Sequence, residues 1–196
     1  DKVGNLVEFG RGGNIHHFAY DGLNRLISAA HPVVTGLPAT EAFAYDDAGN
    51  REDVADASLY DYDANNRIQM SPAISMYTYD DSGNMLTKGS NESFQHDIEN
   101  QLTQYTNTST NVVADYVFDP FGRRIRKAVT DNGATTVTHY VWSGGKLIAE
   151  YDNSGNRQKR YAYIADSFAP VEIENANGVY YVHSDHLDTP ISLSNA

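Results

Sequence analysis

Cysteine is absent from the 196 residues, which removes disulfide frameworks, thiolate metal sites and thiol nucleophiles from consideration. Basic residues are scarce: 14 Lys and Arg stand against 26 Asp and Glu, a net charge of −12. Displacing counterions from nucleic-acid phosphates needs clustered Lys and Arg, so the balance argues against a nucleic-acid partner. The one basic cluster, Arg123-Arg124-Ile125-Arg126-Lys127, would split between the two faces of an alternating strand, and it reads as a solvated strand. No apolar run is long enough to span a bilayer as a helix, and the chain starts with neither a Met nor the apolar segment of a signal peptide. Tryptophan and methionine are few, 1 and 3, against 14 Tyr and 7 Phe, an aromatic bias typical of strands.

What is abundant is one short pattern. In Tyr45-Asp46-Asp47-Ala48-Gly49-Asn50-Arg51, Tyr45 ends a strand and Asp46 accepts from backbone two positions on. Gly49 takes the place that needs positive φ, the signature of a type I turn with a bulge closing a hairpin. The copies are Asp21-Gly22-Leu23-Asn24, Asp46-Asp47-Ala48-Gly49, Asp63-Ala64-Asn65-Asn66, Asp80-Asp81-Ser82-Gly83, Asp97-Ile98-Glu99-Asn100, Asp119-Pro120-Phe121-Gly122 and Asp152-Asn153-Ser154-Gly155. Tyr20, Tyr45, Tyr62, Tyr79 and Tyr151 precede five of them, and the fourth place is always Gly or Asn, the residues that enter the left-handed region most cheaply. Asp1-Lys2-Val3-Gly4-Asn5-Leu6 looks like an eighth copy.

From Asp46 to Asp63, Asp80 and Asp97 each step is 17 residues, with looser steps of 25 before and 22 after. A regular centre with looser flanks is the mark of a repeat array, and such a step fits two strands of about six residues with two short connections. The expected fold is all-β, an array of antiparallel hairpins forming a long twisted sheet. His31-Pro32-Val33-Val34-Thr35-Gly36-Leu37-Pro38 reads as an inserted loop, and only stretches as short as Asp53–Ser58 have a helical composition. Phe43 and Tyr45, Tyr60 and Tyr62, and Tyr77 and Tyr79 stand two apart and share a face, which predicts cross-strand aromatic ladders.

The residues resemble a known family. Tyr-Asp, two variable residues, Gly or Asn, then a basic or amide residue is similar to the YD repeat of rearrangement-hotspot (Rhs) proteins, toxin-complex C components and teneurins. The resemblance is most specific near the end. Tyr140-Val141-Trp142-Ser143-Gly144-Gly145-Lys146-Leu147-Ile148-Ala149-Glu150-Tyr151-Asp152 and Tyr180-Tyr181-Val182-His183-Ser184-Asp185-His186-Leu187-Asp188-Thr189-Pro190 look like the opening of the Rhs-associated core domain. Asp188 stands where the family has Gly, and Trp142-Ser143 replaces Tyr-Asp. On this reading residues 1–139 are the repeat array and 140–196 the start of the core domain, marked by His183, Asp185, His186, Leu187, Thr189 and Pro190. The chain begins inside a repeat and ends without closing one, so it reads as a fragment of something longer.

Candidate chemistry is thin. Asp119-Pro120-Phe121-Gly122 spells the aspartyl cleavage motif that the resemblance places in pairs further along the family's core, but no second Asp-Pro occurs, and proton sharing needs two carboxylates. His183-Ser184-Asp185-His186 has the letters of a metal site, yet in an extended segment His186 faces away from His183 and Asp185. His16 and His17, being adjacent, face opposite ways. No catalytic residue, cofactor or metal is expected. The resemblance implies a wall segment of a hollow shell in an exported bacterial polymorphic toxin, with the parent's C-terminal toxin polypeptide and further shell repeats as partners, and exposed sheet edges prone to self-association. A surface module that binds carbohydrate or protein is the alternative.

Overall fold

The computed structural model describes all residues except 12, 33–37, 55, 57, 58, 75, 166 and 186–188. Every named element is a strand, and the chain divides into two units, Asp1–Thr78 and Tyr79–Ala196. In the first, β1 (Glu8–Arg11), β2 (Asn14–Tyr20), β3 (Leu26–Ala30) and β4 (Thr40–Ala42) form an antiparallel sheet in sequence order. Two hairpins follow, β5 (Ala44–Tyr45) with β6 (Arg51–Glu52) and β7 (Asp61–Tyr62) with β8 (Ile68–Met70). The middle of the expected loop at 31–38 and half of the stretch Asp53–Ser58 lie outside the described residues.

The second unit is built on one large sheet of twelve strands. They are β9 (Tyr77–Tyr79), β10 (Met85–Lys88), β11 (Glu92–His96), β12 (Leu102–Asn107), β13 (Val112–Phe118), β14 (Arg124–Asp131), β15 (Ala134–Ser143), β16 (Lys146–Tyr151), β17 (Arg157–Ala162), β18 (Glu172–Asn175), β19 (Gly178–Ser184) and β20 (Pro190–Asn195). Each lies beside its sequence neighbours, so the sheet is a plain meander. The division between the units falls inside β9, and the junction read from the motifs, 139/140, falls inside β15.

Little of the molecule is buried. Only Ala29, Ala114, Ala128, Ala149 and Ala169 are covered among the described residues, and no large side chain is fully enclosed. A single sheet covers each side chain only with its cross-strand and same-strand neighbours, so near-complete burial is open to little more than a methyl group. Ala114, Ala128 and Ala149 sit in β13, β14 and β16, where strands flank them on both sides. Ile98 at 98% and Phe121 at 82% exposure stand at turn tips.

Among the described residues the expected aromatic ladders form in one place. Phe94 and Tyr105 are register partners, with ring centres 5.3 Å apart. Elsewhere arginines lie over the rings. Tyr116 on β13 and Tyr140 on β15 are two strands apart, roughly 9.6 Å, beyond the 4.5–7 Å of ring pairing. Arg124 on β14 fills the interval, 5.5 Å from one ring centre and 5.0 Å from the other. Arg25 over Tyr45 and Arg51 over Phe43 make the same kind of contact at 4.6 and 4.8 Å.

Candidate functional site: the row of aspartate turns

The recurring local device is the aspartate turn. At Asp21, Asp46, Asp63, Asp80, Asp97, Asp119 and Asp152, the aspartate N–H donates to the carbonyl of the fifth residue, and the fourth residue's N–H donates back to the aspartate carbonyl. The fourth residues, Asn24, Gly49, Asn66, Gly83, Asn100, Gly122 and Gly155, have φ between 59° and 89°. One carboxylate oxygen, Oδ1, accepts the N–H of the fifth residue at 2.7–3.0 Å in every copy. The register slips by one residue beside the turn, as at Ala19/Tyr20, Asp61/Tyr62, Gln95/His96, Val117/Phe118 and Glu150/Tyr151.

The second oxygen, Oδ2, is taken by the side chain of the fifth residue. Arg25, Arg67 and Arg123 donate through Nε, and Asn50, Asn84 and Asn156 through Nδ2, at 2.6–3.0 Å. These bonds favour the ionised form. The backbone N–H of Arg25 and of Arg67 is the main cause that holds Asp21 and Asp63 below the ordinary 3.8. For Asp46, Asp80, Asp119 and Asp152 the main cause is the side chain of Asn50, Asn84, Arg123 and Asn156 respectively, while partial desolvation opposes the shift in each. Asp119, the aspartate of the Asp-Pro-x-Gly spelling, is thus a fully bonded anion, the opposite of a proton-sharing acid.

Neighbouring turns are tied to one another by a second rule that the local motif does not announce: as far as the Asp80 turn, the fourth and fifth residues alternate between Gly-Asn and Asn-Arg. A Gly-Asn turn reaches the next turn through its asparagine, as Asn5 Nδ2 to Asn24 Oδ1, Asn50 to Asn66 and Asn84 to Asn100. An Asn-Arg turn reaches on through its guanidinium, as Arg25 Nη1 to the Asp46 carbonyl. The tyrosine of the motif is a tether. The hydroxyls of Tyr20, Tyr45 and Tyr62 donate to the carbonyls of Leu6, Leu26 and Arg51, each five places after the preceding turn's aspartate.

Two departures from the pattern resolve physically. Trp142 donates its indole N–H to the Arg124 carbonyl at 3.0 Å, and Arg124 is five places after Asp119, so the tryptophan makes the tyrosine's tether. Arg123 donates to the Gly144 carbonyl, so the Ser143-Gly144-Gly145 hairpin takes the next place in the row. Consequently Asp152 does not follow Asp119 on the same edge. Two strands separate the Asp97 and Asp119 turns, but three, β14, β15 and β16, separate Asp119 from Asp152, and an odd number delivers the chain to the opposite edge.

At the end of the chain, Asp185 N–H donates to the Thr189 carbonyl, Thr189 N–H returns to Asp185 Oδ1 at 3.0 Å, and the register slips at His183/Ser184. These are the bonds that an aspartate turn makes between its first and fifth residues, with Pro190 opening β20; His186, Leu187 and Asp188 lie outside the described residues. His183 Nε2 lies 2.9 Å from Ser194 Oγ on β20. In the first unit His16 Nδ1 lies 2.8 Å from His31 Nδ1, and His31 Nε2 lies 3.0 Å from Glu41 Oε2, a chain across the sheet that no local spacing announces. Among the described residues no three His, Asp or Glu side chains are placed to hold a metal ion.

Antiparallel strands in sequence order, joined by recurring turns that bond to neighbouring turns within each unit, define a repeat-built sheet protein. The profile of the teneurin YD-shell family matches residues 4–196, and the chain belongs to that family. It is 33% identical over 186 residues to double-stranded DNA deaminase toxin A of Burkholderia cenocepacia (strain H111), an alignment covering 87% of this chain and 12% of that protein's length. Among solved structures it is similar to a Photorhabdus luminescens Tc holotoxin pore, with a TM-score of 0.47 and 16% identity over 93% of this chain and 13% of the other. A complex of TcdB2, TccC3 and Cdc42 follows, with a TM-score of 0.41 and 14% identity over 93% of this chain and 10% of the other.

Proposed function

We propose that residues 1–196 are a length of shell wall in an exported bacterial toxin of the polymorphic Rhs type. The wall encloses the toxin's own C-terminal polypeptide, and this length of it carries no catalytic residue. One observation supports the reading: among the described residues the sheet of twelve strands buries only alanines, which suits a barrier between two environments better than a core around a site. The toxin name of the Burkholderia relative supports the toxin context. Residues 1–139 supply the repeats, and 140–196 open the core domain that follows them, with the Asp185 turn as its first landmark. Further repeats pair at β20, the last strand of the large sheet, whose Ile191 and Leu193 are exposed.

A second reading, a module that binds carbohydrate or protein, draws on the exposed rings of Phe121, Phe168 and Tyr181. The two separate on the full-length parent. Limited proteolysis of the purified parent is expected to leave a C-terminal polypeptide protected and retained, and to release it once the sheet is unfolded. A C-terminal segment digested as fast as the free polypeptide sinks the shell reading and favours the binding module.

A further inference from the structure

The tie that Arg25 makes from its own turn to the next is missing at the Asp97 turn, and a cavity lies there. In the Asp97 turn the fifth residue is Gln101, where Asp21, Asp63 and Asp119 have arginine. Arg25 shows what the arginine does: Nε binds Asp21 Oδ2 at 2.7 Å, Nη1 reaches the Asp46 carbonyl of the next turn, and the guanidinium lies over the Tyr45 ring. Glutamine is shorter and carries no charge. Its side chain points the same way, since Gln101 Nε2 approaches Gly122 of the following turn as Arg25 Nη1 approaches Gly49, at 3.9 and 3.8 Å from the position of a Cβ. It stops short of the Asp119 carbonyl and donates to Glu99 Oε2 at 3.3 Å instead.

Three features set this turn apart. Asp97 Oδ1 accepts the N–H groups of Glu99 and Gln101 in the usual way, but its Oδ2 has no donor among the described residues. Gln101 Oε1 is buried and also lacks a donor. Between the Asp97 and Asp119 turns lies a cavity of about 380 Å³, with Asp97, Gln101, Thr103, Tyr116, Phe118 and Asp119 in its wall. The strands part here because the β12–β13 ladder stops at Gln104–Asp115, short of the turns.

We propose that this cavity is a binding site for a guanidinium group, an arginine side chain presented by another polypeptide segment. The chemistry matches on each count. Asp97 and Glu99, both in the cavity wall, supply carboxylate acceptors for N–H donors, which a planar guanidinium offers as a fork. Aromatic side chains at Tyr116 and Phe118 suit a weakly hydrated cation. The same chain shows the arrangement filled from within, by Arg25 between the Asp21 and Asp46 turns and by Arg123 between the Asp119 turn and Gly144. The proposal names a contact chemistry for polypeptide lying against the sheet and does not depend on the shell reading, since the site is complete within one chain.

The test is a titration of the 196-residue chain with N-acetyl-arginine amide, followed by amide chemical shifts, with the citrulline analogue as an isosteric neutral control. The expected result is saturable binding with a Kd on the order of 1 mM, as befits one small ligand, with shifts centred on Asp97, Gln101 and Thr103. Citrulline should bind at least roughly tenfold more weakly, given the loss of charge assistance. Gln101→Arg restores the composition of the Asp21 turn, so it should fold, fill the cavity, raise the melting temperature and abolish the binding. Asp97→Asn retains an acceptor for the turn's N–H groups and should weaken the binding at least roughly tenfold. Equal binding of citrulline, undiminished binding to Gln101→Arg, or no arginine-dependent shifts at these residues overturns the proposal.

Discussion

Replacing Gly155 by Ala isolates the cost of the left-handed backbone on which every aspartate turn depends. Gly155 has φ of 81°, and a Cβ added there meets nothing within 4 Å, so no clash contributes to the result. What remains is the conformational preference of an L-residue, roughly 1–2 kcal/mol against φ > 0. It is offset by the stiffening of the unfolded chain when glycine is lost, about 0.4–1 kcal/mol. The net expectation is a loss of about 1 kcal/mol, or a fall of roughly 2–6 °C in the midpoint of a unit of this size. Gly155→Asn is the matched control. Asparagine holds φ of 63°, 59° and 61° at Asn24, Asn66 and Asn100 in the same turn position, so it should cost at most a few tenths of a kcal/mol. Urea unfolding followed by the fluorescence of the single tryptophan, Trp142 on the strand next to β16, reads both variants with an unchanged m-value expected. Equal stability of the Ala and Asn variants, or an Ala variant as stable as the parent chain, refutes the reasoning that backbone conformation selects the fourth residue.

Trp142→Phe removes the indole donor to the Arg124 carbonyl and should cost about 1 kcal/mol by circular dichroism, while Trp142→Tyr should recover most of it, because tyrosine makes this tether at three other turns. Acid should destabilise the fold over a defined range. The carboxyls of Asp21, Asp46, Asp63, Asp80, Asp119 and Asp152 are held below 3.8 when folded, so the unfolded chain takes up protons first. Their contribution is full above about pH 4 and is lost as pH falls through the folded values. Thermal midpoints from pH 7 to pH 2 check this, and a midpoint that holds between pH 4 and pH 2 counts against the bonded-anion description.

Much of the local structure was legible because it is local. An aspartate, a fourth residue that tolerates positive φ and a fifth that carries an amide or a guanidinium lie within five positions, and each turn closes its own hydrogen bonds without help from elsewhere. Strand alternation and a fixed spacing were enough for an antiparallel all-β array. Legibility failed wherever partners lie a strand or more away. Gln101 looks like a conservative member of the motif until it is set beside Arg25, and its missing reach matters only because the Asp119 turn is the next in the row. The aromatic ladders were predicted from two-residue spacing along strands, but the rings of Tyr116 and Tyr140 stand across an intervening strand, and Arg124 joins them. The link from His16 through His31 to Glu41 crosses three strands with unequal spacings, and nothing local marks it.

The turns, the all-β class and the antiparallel order are readable along the chain, because they follow from backbone preferences and hydrogen bonds that close within a few residues. Which edge of the twelve-stranded sheet a turn occupies is set instead by the folded path as a whole. One additional hairpin, Trp142 to Lys146, adds a strand to the count and carries the Asp152 turn to the edge opposite Asp119, although the two motifs read alike. The same arithmetic returns the chain to the first edge at Asp185, where Asp185 and Thr189 repeat the bonds between the first and fifth residues of an aspartate turn. Strand parity is a property of the whole path and belongs to no single motif, so it cannot be read from any one of them.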